Sequence, residues 1–226
     1  MNIRNLFLVM LGILFIACST DNEEFEFSYD RDIDEWTRKN LTEIRKLTRE
    51  NYLHIKSADY RSAVYAAFSP EQKRQFWIEK LQETLLLDWN QMEKKHIESV
   101  LDFVISTNAF DKGLDKDGEI FFYKWSEFAQ EYFNWSDETI FSIIVSRYPM
   151  VNKAGDILIL ENNASALKTR NELAESSKTK RCNCSKLAFC QKKCDSGKKC
   201  SDPGNCRKSN GGCGAIGFSD CTGLCG

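Results

Sequence analysis

The 45 residues from Cys182 to Gly226 constrain the fold more than any other part of this chain. They hold nine of its ten cysteines and eight of its twelve glycines, with few large apolar side chains. A segment this short and this poor in apolar bulk lacks the material for a stabilising core. Disulfides stabilise a fold by restricting the unfolded chain, at about 2–4 kcal/mol each. Glycines supply the turns with positive φ that a crosslinked chain requires. The tail is therefore predicted to be a small, loop-dominated, disulfide-rich module.

The tail cysteines favour crosslinks over a structural zinc site. Zinc ligands usually form C-x₂₋₄-C pairs, often with histidine, whereas this tail has no C-x-x-C and no histidine. Thiolates from Cys182, Cys184, Cys190 and Cys194 are the alternative, as metal ligands. Disulfides agree better with the export signal described next, so no metal or other cofactor is predicted. Because the number of tail cysteines is odd, one of them must stay free, pair between molecules or be modified. The nine are Cys182, Cys184, Cys190, Cys194, Cys200, Cys206, Cys213, Cys221 and Cys225.

Residues 1–17 are predicted to be a lipoprotein signal peptide. Arg4 gives a positive start, and Leu6 to Ile16 is an apolar run too short to span a bilayer. The segment Leu14-Phe15-Ile16-Ala17-Cys18 resembles the bacterial lipobox, with Phe15 where leucine is more usual. The alternative is an ordinary signal peptide with an incidental cysteine. We predict lipidation of Cys18, anchoring to the bacterial membrane, and a surface-exposed position in the cell envelope on an acidic tether, residues 18–29.

Residues 30–160 are predicted to form one mostly helical domain. Apolar residues recur near helical spacing with charges between them. Ser69-Pro70-Glu71-Gln72 has the form of a capping box that opens a helix, and Ser136 is predicted to cap another. Asp156 to Leu160 is predicted to be a short strand or a docking segment. The fold class is therefore mainly α, with a helical N-terminal domain followed by the small crosslinked module.

The charge of the chain is unevenly distributed. The tail holds seven Lys and Arg and three Asp, for a net charge of +4, whereas residues 18–181 hold 23 basic and 30 acidic residues, for −7. Such asymmetry indicates separable parts. Residues 161–181 are polar and are predicted to be an exposed linker. At its end, Lys180 and Arg181 are either a trypsin-like processing point or a solvated charge cluster. The lysines that concentrate the tail's charge are Lys192, Lys193, Lys198 and Lys199.

No catalytic residue is predicted, and the protein is not expected to be an enzyme. The acidic run around Gly118 suggests a calcium loop. With Gly118 in the sixth position, however, Gly113 and Lys124 fall where an EF-hand needs oxygen ligands, so a polar turn is preferred. The two histidines, His54 and His96, form no H-x₃-H pair, and no G-x-S-x-G motif is present. The acidic body, with its aromatic residues predicted to lie in the core, argues against nucleic-acid binding.

Two sets of motifs point to a family. The first is Cys182-Asn183-Cys184-Ser185 followed by widely spaced cysteines with Gly, Lys and Ser between them. The second is Ser69-Pro70-Glu71 leading into Phe76-Trp77 and Lys80-Leu81. Together they resemble the fulvocin C-related bacteriocin proteins. The resemblance covers the 45 tail residues in pattern, although the spacings differ and nine cysteines depart from an even set. It implies an exported helical precursor that carries a bactericidal peptide, and it identifies no target.

Three functions fit these features. The first is a lipid-anchored precursor of an antibacterial tail that acts on a target-cell envelope, with the helical domain as pro-region or masking partner. The second is a surface-anchored binding protein whose tail is a permanent recognition module. The third is a peptide in which tail serines or threonines are dehydrated and joined to cysteine as thioethers. The signal peptide argues against the third, because that chemistry normally precedes export.

The first function sets expectations for the tail. Its positive charge is expected to draw it to anionic lipid and cell-wall polymers. The acidic body is expected to attract the tail until cleavage, an attraction that salt weakens. A small exposed apolar surface is expected from Leu187, Phe189, Ile216, Phe218 and Leu224.

Overall fold

The computed structural model describes residues 26–28, 30–161, 164–168, 200–201, 209–221 and 224–225. Helices hold more than half of the described residues, which confirms the mainly α class. In chain order the helices are α1 Arg31–Lys39, α2 Leu41–Ile44, α3 Arg49–Leu53, α4 Ala58–Ala67, α5 Pro70–Leu85, α6 Gln91–Ser106, α7 Ala109–Lys112, α8 Lys116–Phe133 and α9 Asp137–Ile144.

Two helices begin where the sequence predicts. At the start of α5, the Ser69 hydroxyl accepts from the Gln72 backbone N–H at 3.2 Å, and the Gln72 side chain accepts from the Ser69 N–H at 3.1 Å. At the start of α9, Ser136 accepts from the Thr139 N–H at 3.2 Å. These contacts satisfy donors that a helix otherwise leaves free in its first turn.

The acidic stretch near Gly118 is a helix start. The Asp115 carboxylate accepts from the Gly118 N–H at 2.8 Å, and Gly113 turns the chain with a φ of +81°. A Cβ added to Gly118 would lie 2.4 Å from the Leu114 side chain, so a larger residue there would require Leu114 to shift. In the part of the chain that the structure describes, no group of three or more His, Cys, Asp or Glu residues is placed to hold a metal.

An aromatic cluster forms the centre of the core between α3, α4 and α5. The ring centroids of Tyr52, Tyr65, Phe68 and Phe76 lie 5.0–6.4 Å apart, and Trp77 is wholly buried beside them. Rings of this kind contribute both buried apolar area and edge-to-face attraction. This cluster is the surface against which the C-terminal segment packs.

A second aromatic cluster joins α6 to α8. The ring of His96 stacks on Trp125 at 4.6 Å, and the Trp125 Nε1 donates to the His96 carbonyl at 2.8 Å. Burial lowers the pKa of His96, which favours the neutral ring. The expectation that the aromatic stripe of α8 is core holds for Phe122 and Trp125. It is wrong for Phe128 and Tyr132, which are 43% and 66% exposed.

The described strands form three antiparallel pairs. Strand β1, Ile157–Glu161, agrees with the predicted short strand and pairs with β2, Ala164–Lys168, which lies within the segment expected to be a linker. In the tail, β3 (Cys200–Ser201) pairs with β6 (Leu224–Cys225), and β4 (Ser209–Cys213) pairs with β5 (Ser219–Cys221). No helix in the described part of the chain is both long and apolar enough to cross a bilayer.

Candidate functional site, where the C-terminal segment packs on the helices

The turn between β4 and β5 is inserted into the helical domain. Ala215 and Ile216 are 5% and 0% exposed, and Phe218 packs against the same core. Strand β4 runs beside α4. The expectation that Ile216 and Phe218 form an exposed apolar surface is therefore wrong, because the helical domain supplies the core that the tail lacks. We call Gly214–Phe218 the docking segment.

Tyr65 links the docking segment to two helices. Its hydroxyl donates to the Ile216 carbonyl at 3.4 Å and accepts from the Trp77 Nε1 at 2.8 Å. Burial raises the pKa of Tyr65 to about 12, against the opposing effect of Arg147, so the hydroxyl keeps its proton at neutral pH. Buried polar groups are nearly always paired. Tyr65 pairs the indole N–H on one side and the tail carbonyl on the other.

Phe218 extends the contact to the short helix α7. Its ring centroid lies 4.7 Å from that of Phe110, in a tilted arrangement. The Arg74 guanidinium lies 5.7 Å from the Phe110 centroid and donates to the Thr107 carbonyl at 3.1 Å. Because Arg74 belongs to α5, it holds α7 in place beneath Phe218. Aromatic pairs of this type are worth about 0.5–1.5 kcal/mol beyond the area they bury.

Positive side chains surround Tyr65. The Arg147 guanidinium lies 4.5 Å from the Tyr65 ring centroid, and the Lys73 Nζ lies 5.6 Å from it. Burial lowers the pKa of Lys73, and the charge of Arg147 lowers it further. The described contact is thus apolar and bordered by cations.

The backbone of the docking segment is tightly turned. Ile216 has a φ of +55°, between Gly214 at +71° and Gly217 at +68°. A β-branched residue rarely adopts the left-handed region, and such a conformation costs on the order of 1–3 kcal/mol. Full burial of an isoleucine contributes about 1.5–3 kcal/mol. Docking therefore offsets the strain of the turn.

A buried lysine, Lys80, joins α5 to the end of α9. Lys80 is 0% exposed, and its Nζ donates to the carbonyls of Ser142 and Ile143 in the last turn of α9. Burial lowers the pKa of Lys80 well below its usual range; nearby Arg49 lowers it further. The carbonyls at a helix C-terminus have no partner within the helix, so Lys80 completes α9. This lysine therefore has a structural role.

Neither the burial of Lys80 nor the docking segment was predicted, although the sequence contains a signal for each. Lys80 follows Trp77 by three residues and precedes Thr84 by four, a spacing that places it on the buried stripe of α5. In the tail, the signal was the run Ala215-Ile216-Gly217-Phe218, an apolar stretch in an otherwise polar segment. Periodicity cannot assign a partner to so short a run.

Most predicted site residues lie outside the described part of the chain. Four of the tail cysteines, Cys200, Cys213, Cys221 and Cys225, lie in strands β3, β4, β5 and β6 respectively. Those outside the described residues are Cys18, Lys180, Arg181, Cys182, Cys184, Cys190, Lys192, Lys193, Cys194, Lys198, Lys199 and Cys206. Lipidation, processing and crosslinking at these positions stay predictions.

No protein-family model, curated protein or solved structure matches this chain. Function is therefore inferred from the docking segment and from the sequence features that accompany it.

Proposed function

We propose that this protein is an exported, lipid-anchored precursor whose helical domain binds and masks its own cationic, cysteine-rich tail, and that the released tail is antibacterial. The observation that carries the proposal is the burial of Ile216 and the packing of Phe218 on the helical domain. These are two of the five large apolar side chains with which a free tail would meet a membrane. While they are docked, they are withheld from any target.

The cysteine distribution supports release by a single cut. Cys18 is the only cysteine before residue 182, and in the proposal it carries the lipid. No disulfide then joins the helical domain to the tail, so cleavage after Arg181 leaves only non-covalent contacts between them.

The free energy of the described contact is in the range in which the linker decides whether the tail stays docked. Burial of one isoleucine contributes about 1.5–3 kcal/mol, and the strain at Ile216 offsets part of it. Free energies of a few kcal/mol correspond to dissociation constants near the millimolar range. A linker holds its two ends at a comparable effective concentration. Tethering therefore keeps a large fraction of the tail docked, whereas a cut tail at micromolar concentration dissociates.

The second candidate is a surface-anchored binding protein whose tail is never released. It is favoured by the completeness of the burial of Ile216, since a residue with no exposed surface is typical of a permanent core. In that case the tail is a fixed recognition module, and cutting the linker would not separate it from the helices.

Growth inhibition tests the proposal. The lipid-free protein, residues 19–226, carries a specific protease site in place of Lys180 and Arg181. It is assayed uncut, cut, and cut then reduced and alkylated, against related bacterial strains. We expect inhibition by the cut form at a concentration at least about tenfold lower than by the uncut form, and loss of inhibition after reduction. Inactivity of all three forms would reject the antibacterial function and favour the binding protein. Intact mass tests the thioether hypothesis separately, because each dehydration removes one water.

A further inference from the structure

We infer that Cys200 and Cys225 form a disulfide that closes the C-terminal module. Strands β3 and β6 are antiparallel, and their register places Cys200 directly opposite Cys225, with Ser201 opposite Leu224. Directly opposed residues in antiparallel strands have Cα atoms about 4.5–5.5 Å apart. A disulfide requires a Cα separation of about 4.4–6.8 Å, and directly opposed residues fall within that range.

The register also separates this pair from the other described cysteines. In the β4–β5 pair, Cys221 lies opposite Ser209 and Cys213 lies opposite Ser219. Among the strand pairs that the structure describes, Cys200 and Cys225 are thus the one place where a cysteine is opposed by a cysteine. Sequence alone left every pairing of the tail cysteines open, and the strand register now assigns one.

The crosslink forms by thiol–disulfide exchange in the oxidising compartment to which an exported chain is delivered. One thiolate attacks a small-molecule disulfide such as glutathione disulfide and releases one glutathione thiolate. The second cysteine then displaces the other glutathione from the mixed disulfide. The two protein thiols lose two protons and two electrons in forming one S–S bond, and one glutathione disulfide is reduced to two glutathione thiols.

The disulfide would hold the docking segment in place. The loop that it closes contains β4, the Ala215–Gly217 turn and β5. Closing a loop restricts the unfolded chain, which favours the tight turn at Ile216. The inference rests on the proposed crosslinked tail and not on its antibacterial activity.

Peptide mapping of the wild-type protein tests the assignment. Free thiols of residues 19–226 are alkylated at once, and the unreduced protein is digested after Lys199, before Asp202 and after Leu224. These cuts isolate Cys200-Ser201 and Cys225-Gly226 as dipeptides. We expect the two dipeptides joined to each other and separated by reduction. Three results would overturn the inference. Either dipeptide could be joined to a different cysteine, either could carry the alkyl label, or the two cysteines could be found bound to zinc.

The number of free thiols in substituted variants tests the Cys200–Cys225 pair independently. Cys200→Ser and Cys225→Ser should each expose one more thiol per molecule than the wild type, whereas the double variant should expose no more than the wild type. Ser201→Ala, in the same strand pair, is the matched control and should leave the count unchanged. Two additional thiols in the double variant would reject the pair. If the dipeptides are joined but the released tail is inactive, the disulfide stands and only the antibacterial function falls.

Discussion

The Tyr65 hydroxyl lies 3.4 Å from the carbonyl oxygen of Ile216, a residue 151 positions further along the chain. This contact joins a helix of the N-terminal domain to a turn in the cysteine-rich tail. Around it, Ile216 is wholly buried and the ring of Phe218 contacts Phe110. The tail is therefore held to the helices by packing as well as by the covalent chain.

Tyr65→Phe should weaken this contact without removing the ring. The substitution leaves the Trp77 Nε1 and the Ile216 carbonyl without their buried partner, which costs about 1–3 kcal/mol in the free energy of unfolding. Urea denaturation measures this change. Tyr60→Phe, on the same helix and only partly buried, is the control and should change the free energy by less than about 0.5 kcal/mol. Equal effects of the two variants would mean that the Tyr65 hydroxyl contributes nothing to docking.

Ile216→Ala should loosen the docking segment. The variant loses buried side-chain volume, and isoleucine-to-alanine changes in a core typically cost about 2–5 kcal/mol. Because alanine relieves part of the backbone strain at Ile216, we expect a cost at the lower end of this range. Hydrogen exchange should become faster at Gly217 and Phe218, whose N–H groups donate to Gly214 and Ala215. Ile105→Ala, at a position 54% exposed on α6, is the control. Unchanged exchange in the Ile216 variant would show that its side chain does not hold the turn.

Lys80→Met should alter the dependence of stability on pH. Because the folded pKa of Lys80 lies below its unfolded value, the unfolded chain binds more protons between those two values. Stability therefore rises with pH through that window, by up to about 1.4 kcal/mol per pH unit. Tyr65 acts in the opposite direction above about pH 10, because its folded pKa is raised.

The comparison is best made in the alkaline range below about pH 10. There, the wild type should gain stability relative to Lys80→Met as the pH rises, and the exposed-site variant Lys94→Met should follow the wild type. Parallel profiles for the wild type and Lys80→Met would contradict the lowered pKa of the buried Lys80.

Replacement of Cys18 tests the anchor. Cys18→Ala should release the protein from membranes or block its processing, because the predicted lipid acceptor is lost. Labelled fatty acid should enter the wild type and not the variant. A wild-type protein that never takes up label would leave an ordinary signal peptide as the explanation of residues 1–17.

Features set by neighbouring residues were predictable from the sequence. The start of α5 follows from Ser69, Pro70 and Gln72, which lie within one helical turn, and the short strand near Ile157 follows from a brief apolar run. These elements depend on hydrogen bonds and spacing over a few residues, so the pattern alone was sufficient.

Features that depend on distant partners were not predictable. Ile216 was expected to be exposed because the tail has no core of its own, and only the folded chain brings it to Tyr65. Lys80 lies on a buried stripe, but its charge is typical of a surface residue until the carbonyls of Ser142 and Ile143 are placed beside it. The opposition of Cys200 and Cys225 likewise depends on strand register, which cysteine spacing does not determine.

The most direct test of masking is separation of the tail after one cut. The protein with a protease site in place of Lys180 and Arg181 is cut at low micromolar concentration and passed through a size-exclusion column under non-reducing conditions. The account predicts that the uncut chain elutes as one species with slow exchange at Gly217 and Phe218, and that the cut tail elutes apart from the helical domain and inhibits growth. A cut tail that stays bound to the helices and remains inactive would contradict it.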